Sequence, residues 1–296
     1  MFRPFLLALC LGCTGVAQQI PTCHVAVPAT VLGKDPLALA RDYTPRDLKI
    51  LIAGHKTSAD LAVNHSERLV VLVDHRESMS EFWPTAMEAL REVVNDVKLE
   101  EHLSLLVIGN DPMRVQGAAA AKNAVSTLAH ERPSGNVALY QALTEISGRL
   151  ERGDALLVLT SGIDTVAPEE LTTLRNSLLQ RGVRVSTLLF LRQGWVASNL
   201  LLGPYDLKSL AYGTGGSAAA LRPLRGPVTE PVIPERFLTD VMDYSVLNLP
   251  VPEGNTPQHL AVSWQHDNKH RPRLVVPESI GPCSGTFSAG MQQRHR

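Results

Sequence analysis

Leu69-Val70-Val71-Leu72-Val73 runs without polar interruption into Asp74-His75-Arg76-Glu77-Ser78-Met79-Ser80. Five consecutive Leu and Val side chains leave no face for water, so the run predicts a strand covered on both sides, as in a parallel sheet between helices. After Pro84, residues Met87, Leu90, Val94 and Val97 recur three and four apart and predict a helix with one apolar stripe. The alternation then repeats. Residues 103–108 read as a strand and 118–129 as an Ala-rich helix, and Leu139, Leu143, Ile146 and Leu150 form the face of another helix. A strand at 155–160, a helix carrying Leu171, Leu174 and Leu178, and a strand at 183–191 after Gly182 continue the series. Short helices at 207–212 and 235–242, with the turn Gly213-Thr214-Gly215-Gly216 between them, close it. Such βαβ alternation predicts an α/β fold built on a doubly wound, mostly parallel sheet.

Outward from this region the helical spacing stops. Ahead of it, 24–27, 29–32 and 48–52 are short apolar runs punctuated by Gly33-Lys34-Asp35-Pro36 and Ala53-Gly54. Behind it, 245–249, 259–264 and 272–276 are short strands separated by Pro and Gly. The two flanks are expected to pack together as one small β module. The expected organisation is 18–66 as an N-terminal β segment, 67–244 as the α/β domain, 245–283 as a C-terminal β segment, and 284–296 as a polar tail.

The chain has 296 residues, 44% hydrophobic and 19% charged, enough apolar material for a substantial core. Lys+Arg 28 against Asp+Glu 29 gives a formal charge of -1, so no overall basic footprint points to nucleic acid. The longest apolar run is N-terminal and shorter than the roughly 18 residues a membrane-spanning helix needs. Arg3 followed by the apolar stretch 5–11, then small residues up to Ala17, reads as a secretory signal peptide over 1–17. Secretion or a periplasmic location follows, and the Cys10-Leu11-Gly12-Cys13 segment has only the Gly of a lipoprotein box. The exported chain would keep Cys23 and Cys283, which either pair across the two flanks or stay as two thiols. A bond closing so long a loop would contribute about 4 to 5 kcal/mol from loop-closure entropy.

In an open parallel sheet the chemistry sits at the carboxyl ends of the strands. Three segments lie there: Asp74 to Ser80, Ser134-Gly135-Asn136-Val137-Ala138-Leu139, and Thr160-Ser161-Gly162-Ile163-Asp164. On these segments the sequence resembles the von Willebrand factor type A family, a Rossmann-like fold, and within it the secreted bacterial proteins first grouped from Acidobacteria. The resemblance covers about residues 68–244. It implies a metal-ion-dependent adhesion site, in which an Asp-x-Ser-x-Ser loop, a Thr and a later Asp hold Mg²⁺ for a partner's carboxylate.

Asp74 and Ser78 match that motif. Arg76 stands for its first Ser, Val137 for its Thr and Ser161 for its later Asp. An Arg has no lone pair and Val no oxygen, so the resemblance implies a degenerate site with no metal or other cofactor. Arg76 then has three readings. Its guanidinium replaces the cation by pairing with Asp74, leaving a positive rim; or it points to solvent; or it pairs with Glu77.

The expected function is a non-enzymatic, exported module that binds a protein partner through this face. One alternative is a metal-dependent adhesin or hydrolase, with Mg²⁺, that uses Asp74, Glu77, Asp111 or Asp164 in a rearranged site. Another is a purely structural envelope protein. His55, His65 and His75 are read as separate surface residues, Ser288 lacks the first Gly of a nucleophile elbow, and Trp195 is either a core plug or a contact aromatic.

Overall fold

The apolar run at 69–73 lies at the centre of the larger sheet in the computed structural model, which describes residues 22–32, 35–96, 102–110, 112–164, 166–192, 202–224, 230–266 and 271–282. The first flank holds β1 (Thr22–Pro28), β2 (Thr30–Val31), α1 (Ala38–Asp42), β3 (Leu48–Ile52), β4 (His55–Thr57) and β5 (Asp60–His65). The central region holds β6 (Leu69–Asp74), α2 (Trp83–Asn95), β7 (Leu103–Ile108), β8 (Met113–Gln116), α3 (Ala118–Leu128) and α4 (Leu139–Ser147). It continues with β9 (Ala155–Thr160), α5 (Pro168–Gln180), β10 (Arg184–Phe190), α6 (Leu202–Gly213), β11 (Ala218–Leu221) and α7 (Phe237–Met242). Last come β12 (Asp243–Pro252), β13 (Gln258–Trp264), β14 (Leu274–Val275) and β15 (Ser279–Ile280).

Six strands form one sheet in the order β11-β10-β9-β6-β7-β8, parallel except for β8, which runs antiparallel to β7. Every residue of β6 is buried. Leu69, Val71 and Val73 face a layer containing Met87 and Leu90 of α2, Val125 of α3 and Phe237 of α7. Val70 and Leu72 face the opposite layer, built from Leu139 and Leu143 of α4, Leu174 of α5 and Leu207 of α6. Helices on both faces explain why the strand is apolar throughout rather than alternating.

The flanks interleave as expected. β12 lies between β1 and β5, and β13 lies between β15 and β3, with β4 at the outer edge. Cys23 sits opposite Val251 and Leu48 opposite Trp264, so strands from the two ends of the chain share one core around Leu39, Ile50, Leu249 and Leu260. The α/β unit is an insertion in this module. His65 at the end of β5 faces Asp243 at the start of β12, and the Ser66 N–H donates to the Met242 carbonyl at 2.9 Å.

Arg184, 1% exposed, anchors that junction. Its Nη2 donates to Ser66 Oγ (3.0 Å) and to the carbonyls of Val241 (2.7 Å) and Met242 (3.3 Å), and its Cζ lies 4.0 Å over the Tyr244 ring. Burial pushes its pKa down to about 10, against the opposing pull of Tyr244 and Asp243, and the group stays charged at neutral pH.

Several boundaries differ from expectation. β8 was not anticipated: Met113-Arg114-Val115-Gln116 is a half-exposed edge strand with no apolar run to announce it. α1 and β11 were likewise not expected as elements. α4 stops at Ser147, and Leu150 reaches the core from the turn beyond it. α2 ends at Asn95, and Val97 lies outside the described residues, as do segments 1–17 and 284–296.

Candidate functional site

β6 delivers Asp74 to the carboxyl edge of the sheet, where its side chain is fully buried. The chain turns back at once, and the Arg76 N–H donates to Asp74 Oδ1 at 3.1 Å. The Arg76 side chain closes over the same carboxylate as a fork, Nε to Oδ1 at 2.8 Å and Nη2 to Oδ2 at 2.9 Å. Thr160, at the end of β9, donates its hydroxyl to Asp74 Oδ2 at 2.6 Å and accepts the Gly162 N–H at 2.9 Å. Each oxygen of Asp74 therefore takes two hydrogen bonds, which fills the four lone-pair positions of a carboxylate.

The remaining guanidinium nitrogen, Nη1, reaches Asp164 Oδ2 at 3.3 Å and the Val137 carbonyl at 3.4 Å. Asp164 also accepts the Leu139 N–H at the first turn of α4 (2.5 Å), where the helix dipole favours a negative charge. Three strand-end segments are thus tied through one guanidinium. Burial opposes its charge, but hydrogen bonding and attraction from Asp74, then Asp164, outweigh that and hold the Arg76 pKa above the ordinary arginine value.

Arg76 is 7% exposed, which overturns the solvent-facing reading. Glu77 is exposed, and the carboxylates on Arg76 are those of Asp74 and Asp164, so the Glu77 pairing also fails. The positive rim needs correction too. Two carboxylates around one guanidinium sum to -1. Ser161 is buried and its hydroxyl bonds that of Ser78 at 3.1 Å. The Val137 side chain is exposed, and only its carbonyl takes part.

This donor set does not suit a hard divalent cation. Mg²⁺ needs free oxygen lone pairs in octahedral array, whereas Asp74 is saturated by N–H and O–H donors and Val137 brings no side-chain oxygen. Among the described residues no group of three or more His, Cys, Asp or Glu could hold a metal ion. His75 is buried, not on the surface: its ring lies 4.8 Å from that of Trp83, and its Nε2 is 3.8 Å from Glu131 Oε2. His65 Nδ1 lies 2.6 Å from Asp243 Oδ1, and His55 is exposed in β4. Asp111, Trp195, Cys283 and Ser288 lie outside the described residues, and Cys23 is buried in β1.

Two contributors were underrated in the sequence. Thr160 closes the apolar run of β9, so its pattern in the sequence is that of a strand residue. Asp164 was one of several acidic candidates, and what distinguishes it is its position four residues past the end of β9, opposite the start of α4.

No protein-family model matches the sequence, and no curated protein matches it. Among solved structures, the chain is similar to the conserved hypothetical protein BatB from Bacteroides thetaiotaomicron, at 13% identity and a TM-score of 0.41, over 53% of this chain and 91% of that one. It is similar to a von Willebrand factor type A protein from Catenulispora acidiphila at 12% identity and a TM-score of 0.38, over 90% and 74%. An aerotolerance-related membrane protein from Bacteroides fragilis gives 12% identity and 0.37, over 52% and 90%. The chain is an α/β protein with a doubly wound, mostly parallel sheet, an assignment that rests on its own strand order and helix layers.

Proposed function

We propose that the chain is an exported, non-enzymatic protein-binding module of the von Willebrand factor type A kind, whose strand-end face works without a metal ion. The observation that supports this reading is the Arg76 fork on Asp74, in the loop that resembles the family's metal-binding motif. A guanidinium with two carboxylates is a fixed, self-satisfied platform. It organises the loops after β6 and β9 and the start of α4, which is the structural part of what a bound cation would do. It leaves no vacancy for a partner's carboxylate, so the partner is expected to meet this face through hydrogen-bond donors or basic groups.

Beside the fork lies an open, polar concavity of about 810 Å³, lined by Glu77, Asn110, Glu131, Arg132 and Asn136 among others. A wide polar recess fits a protein surface better than a small substrate, since small-molecule sites are mostly apolar and enclosing. Ser78 and Ser161 bond each other rather than a base, which gives neither an activated oxygen. Export is supported by Arg3 and the apolar stretch 5–11.

The test combines metal linkage with capture. Thermal unfolding of the exported form with millimolar Mg²⁺ or Mn²⁺ should match that in EDTA. Arg76→Ser combined with Val137→Thr and Ser161→Asp should create Mg²⁺ binding measurable by calorimetry. Immobilised protein should capture a partner from the exported fraction, and Asn136→Arg should abolish that capture. A rise in Tm of the unmodified chain with Mg²⁺ would instead favour a metal-dependent adhesin.

A further inference from the structure

α5 and α6 follow the adjacent parallel strands β9 and β10 and line the same apolar layer, so they run side by side in the same direction. Between them is a cavity of about 380 Å³, at the small end of the range for small-molecule sites. Its wall is mainly apolar, from Val166, Leu171 and Leu210, with the hydroxyls of Thr172 and Ser209 at its edge. Two charged side chains also line it, Arg175 from α5 and Asp206 from α6.

Opposite charges in one cavity would be expected to pair, and these do not. Neither Arg175 nor Asp206 has a hydrogen-bond or ion-pair partner among the described residues. The helices hold them apart. Arg175 packs level with Gly213, where an added Cβ would lie 2.7 Å from its Cδ. Asp206 is seven residues earlier on α6, two turns away, which is about 10 Å along the axis. Burial raises the pKa of Asp206 with no neighbouring cation to offset it. Both groups are half-buried, and for Asp206 that burial carries a desolvation cost that no cation among the described residues offsets.

A ligand bearing both charges would satisfy both ends. An ammonium and a carboxylate carried by one small molecule can be offered to the two groups together, which leaves the apolar wall for its side chain. We propose that this cavity binds a free α-amino acid with an apolar side chain, its ammonium on Asp206, its carboxylate on Arg175 and its side chain against Val166, Leu171 and Leu210. This site is separate from the strand-end face and does not depend on the function proposed for it.

Calorimetry and ligand-dependent thermal shift with L-leucine, N-acetyl-L-leucine and L-leucine amide test the assignment. Leucine should bind, and capping either charge should weaken binding by about tenfold or more, because each cap removes one charged contact. Asp206→Asn should weaken leucine by a similar factor yet leave N-acetyl-leucine unchanged. Arg175→Gln should do the same with respect to leucine amide. Because each variant is judged by its ratio between two ligands, a general loss of stability cannot imitate the result. Absence of leucine binding up to millimolar concentration, equal binding of the three compounds, or variants that keep full preference for leucine would each overturn the proposal.

Discussion

Asp74→Ala removes the carboxylate on which Arg76 is seated, and the cost can be worked from its partners. Asp74 is fully buried and Arg76 nearly so. Removing one member of a buried pair typically costs about 3 to 5 kcal/mol. Here Asp164 remains 3.3 Å from Nη1, so the guanidinium keeps part of its compensation and the lower end applies. The expected loss is about 3 kcal/mol, and for a protein of this size that corresponds to a Tm lower by about 6 to 12 °C. Arg76→Met should cost a comparable amount, because it leaves the buried carboxylate with only the backbone N–H and the Thr160 hydroxyl. The double variant removes both charges together and should be no less stable than either single one. Urea unfolding followed by circular dichroism gives all three values and a coupling energy of about 3 kcal/mol or more. Raising NaCl should barely change that coupling, since a buried pair is poorly screened. Losses that add to within about 0.5 kcal/mol in the double variant would refute the reasoning, because two charges that act on each other cannot be independent.

Arg184→Met strips the donor from Ser66 Oγ and three carbonyls at the junction, at about 1 kcal/mol each, so chemical denaturation should show a loss of about 4 kcal/mol. At Gly203 an added Cβ would lie 1.9 Å from the Gly162 carbonyl oxygen, so Gly203→Ala must displace backbone and should lower Tm clearly, whereas Gly281→Ala, with open space around it, should not. The exported form should have the mass of a chain lacking residues 1–17; retention of Met1 would show that no cleavage takes place. Its non-reducing peptide map should contain one linked Cys23 and Cys283 pair, and recovery of two alkylatable thiols would exclude the bond.

What the sequence disclosed about the fold follows from how strongly burial constrains composition. β6, buried on both faces, must be apolar at every position and is visible as Leu69 to Val73, and the central helices are visible because one stripe faces the sheet. β8 is half-exposed and β11 reads Ala-Ala-Ala-Leu, so neither has a pattern distinct from a loop. At the site, Arg76 was legible as a departure from a motif, but its direction was not. A side chain that bonds the carboxylate two residues before it and another on a distant loop is oriented by the folded sheet edge. The role of Asp164 depends on Leu139, which only the fold brings near. Arg184 carried no signal because a buried arginine looks like any other in a sequence, and its partners are mostly backbone carbonyls.

The placement of the α/β unit between β5 and β12 sets the order in which the protein can assemble. β1 and β5 are synthesised early, yet both pair with β12, so they wait without that partner until nearly the whole chain has been made. Closing so long a loop as an unstructured coil is entropically costly. Once the α/β unit has folded, however, Ser66 and Met242 are already in contact and β12 starts beside β5. The inserted domain therefore acts as the template on which the β module is completed. A variant that weakens it at Arg184 should delay or abolish pairing along the far length of β12 with β1, beyond the Asp243 and Tyr244 that Arg184 touches, while damage confined to the β module should leave the α/β unit able to fold.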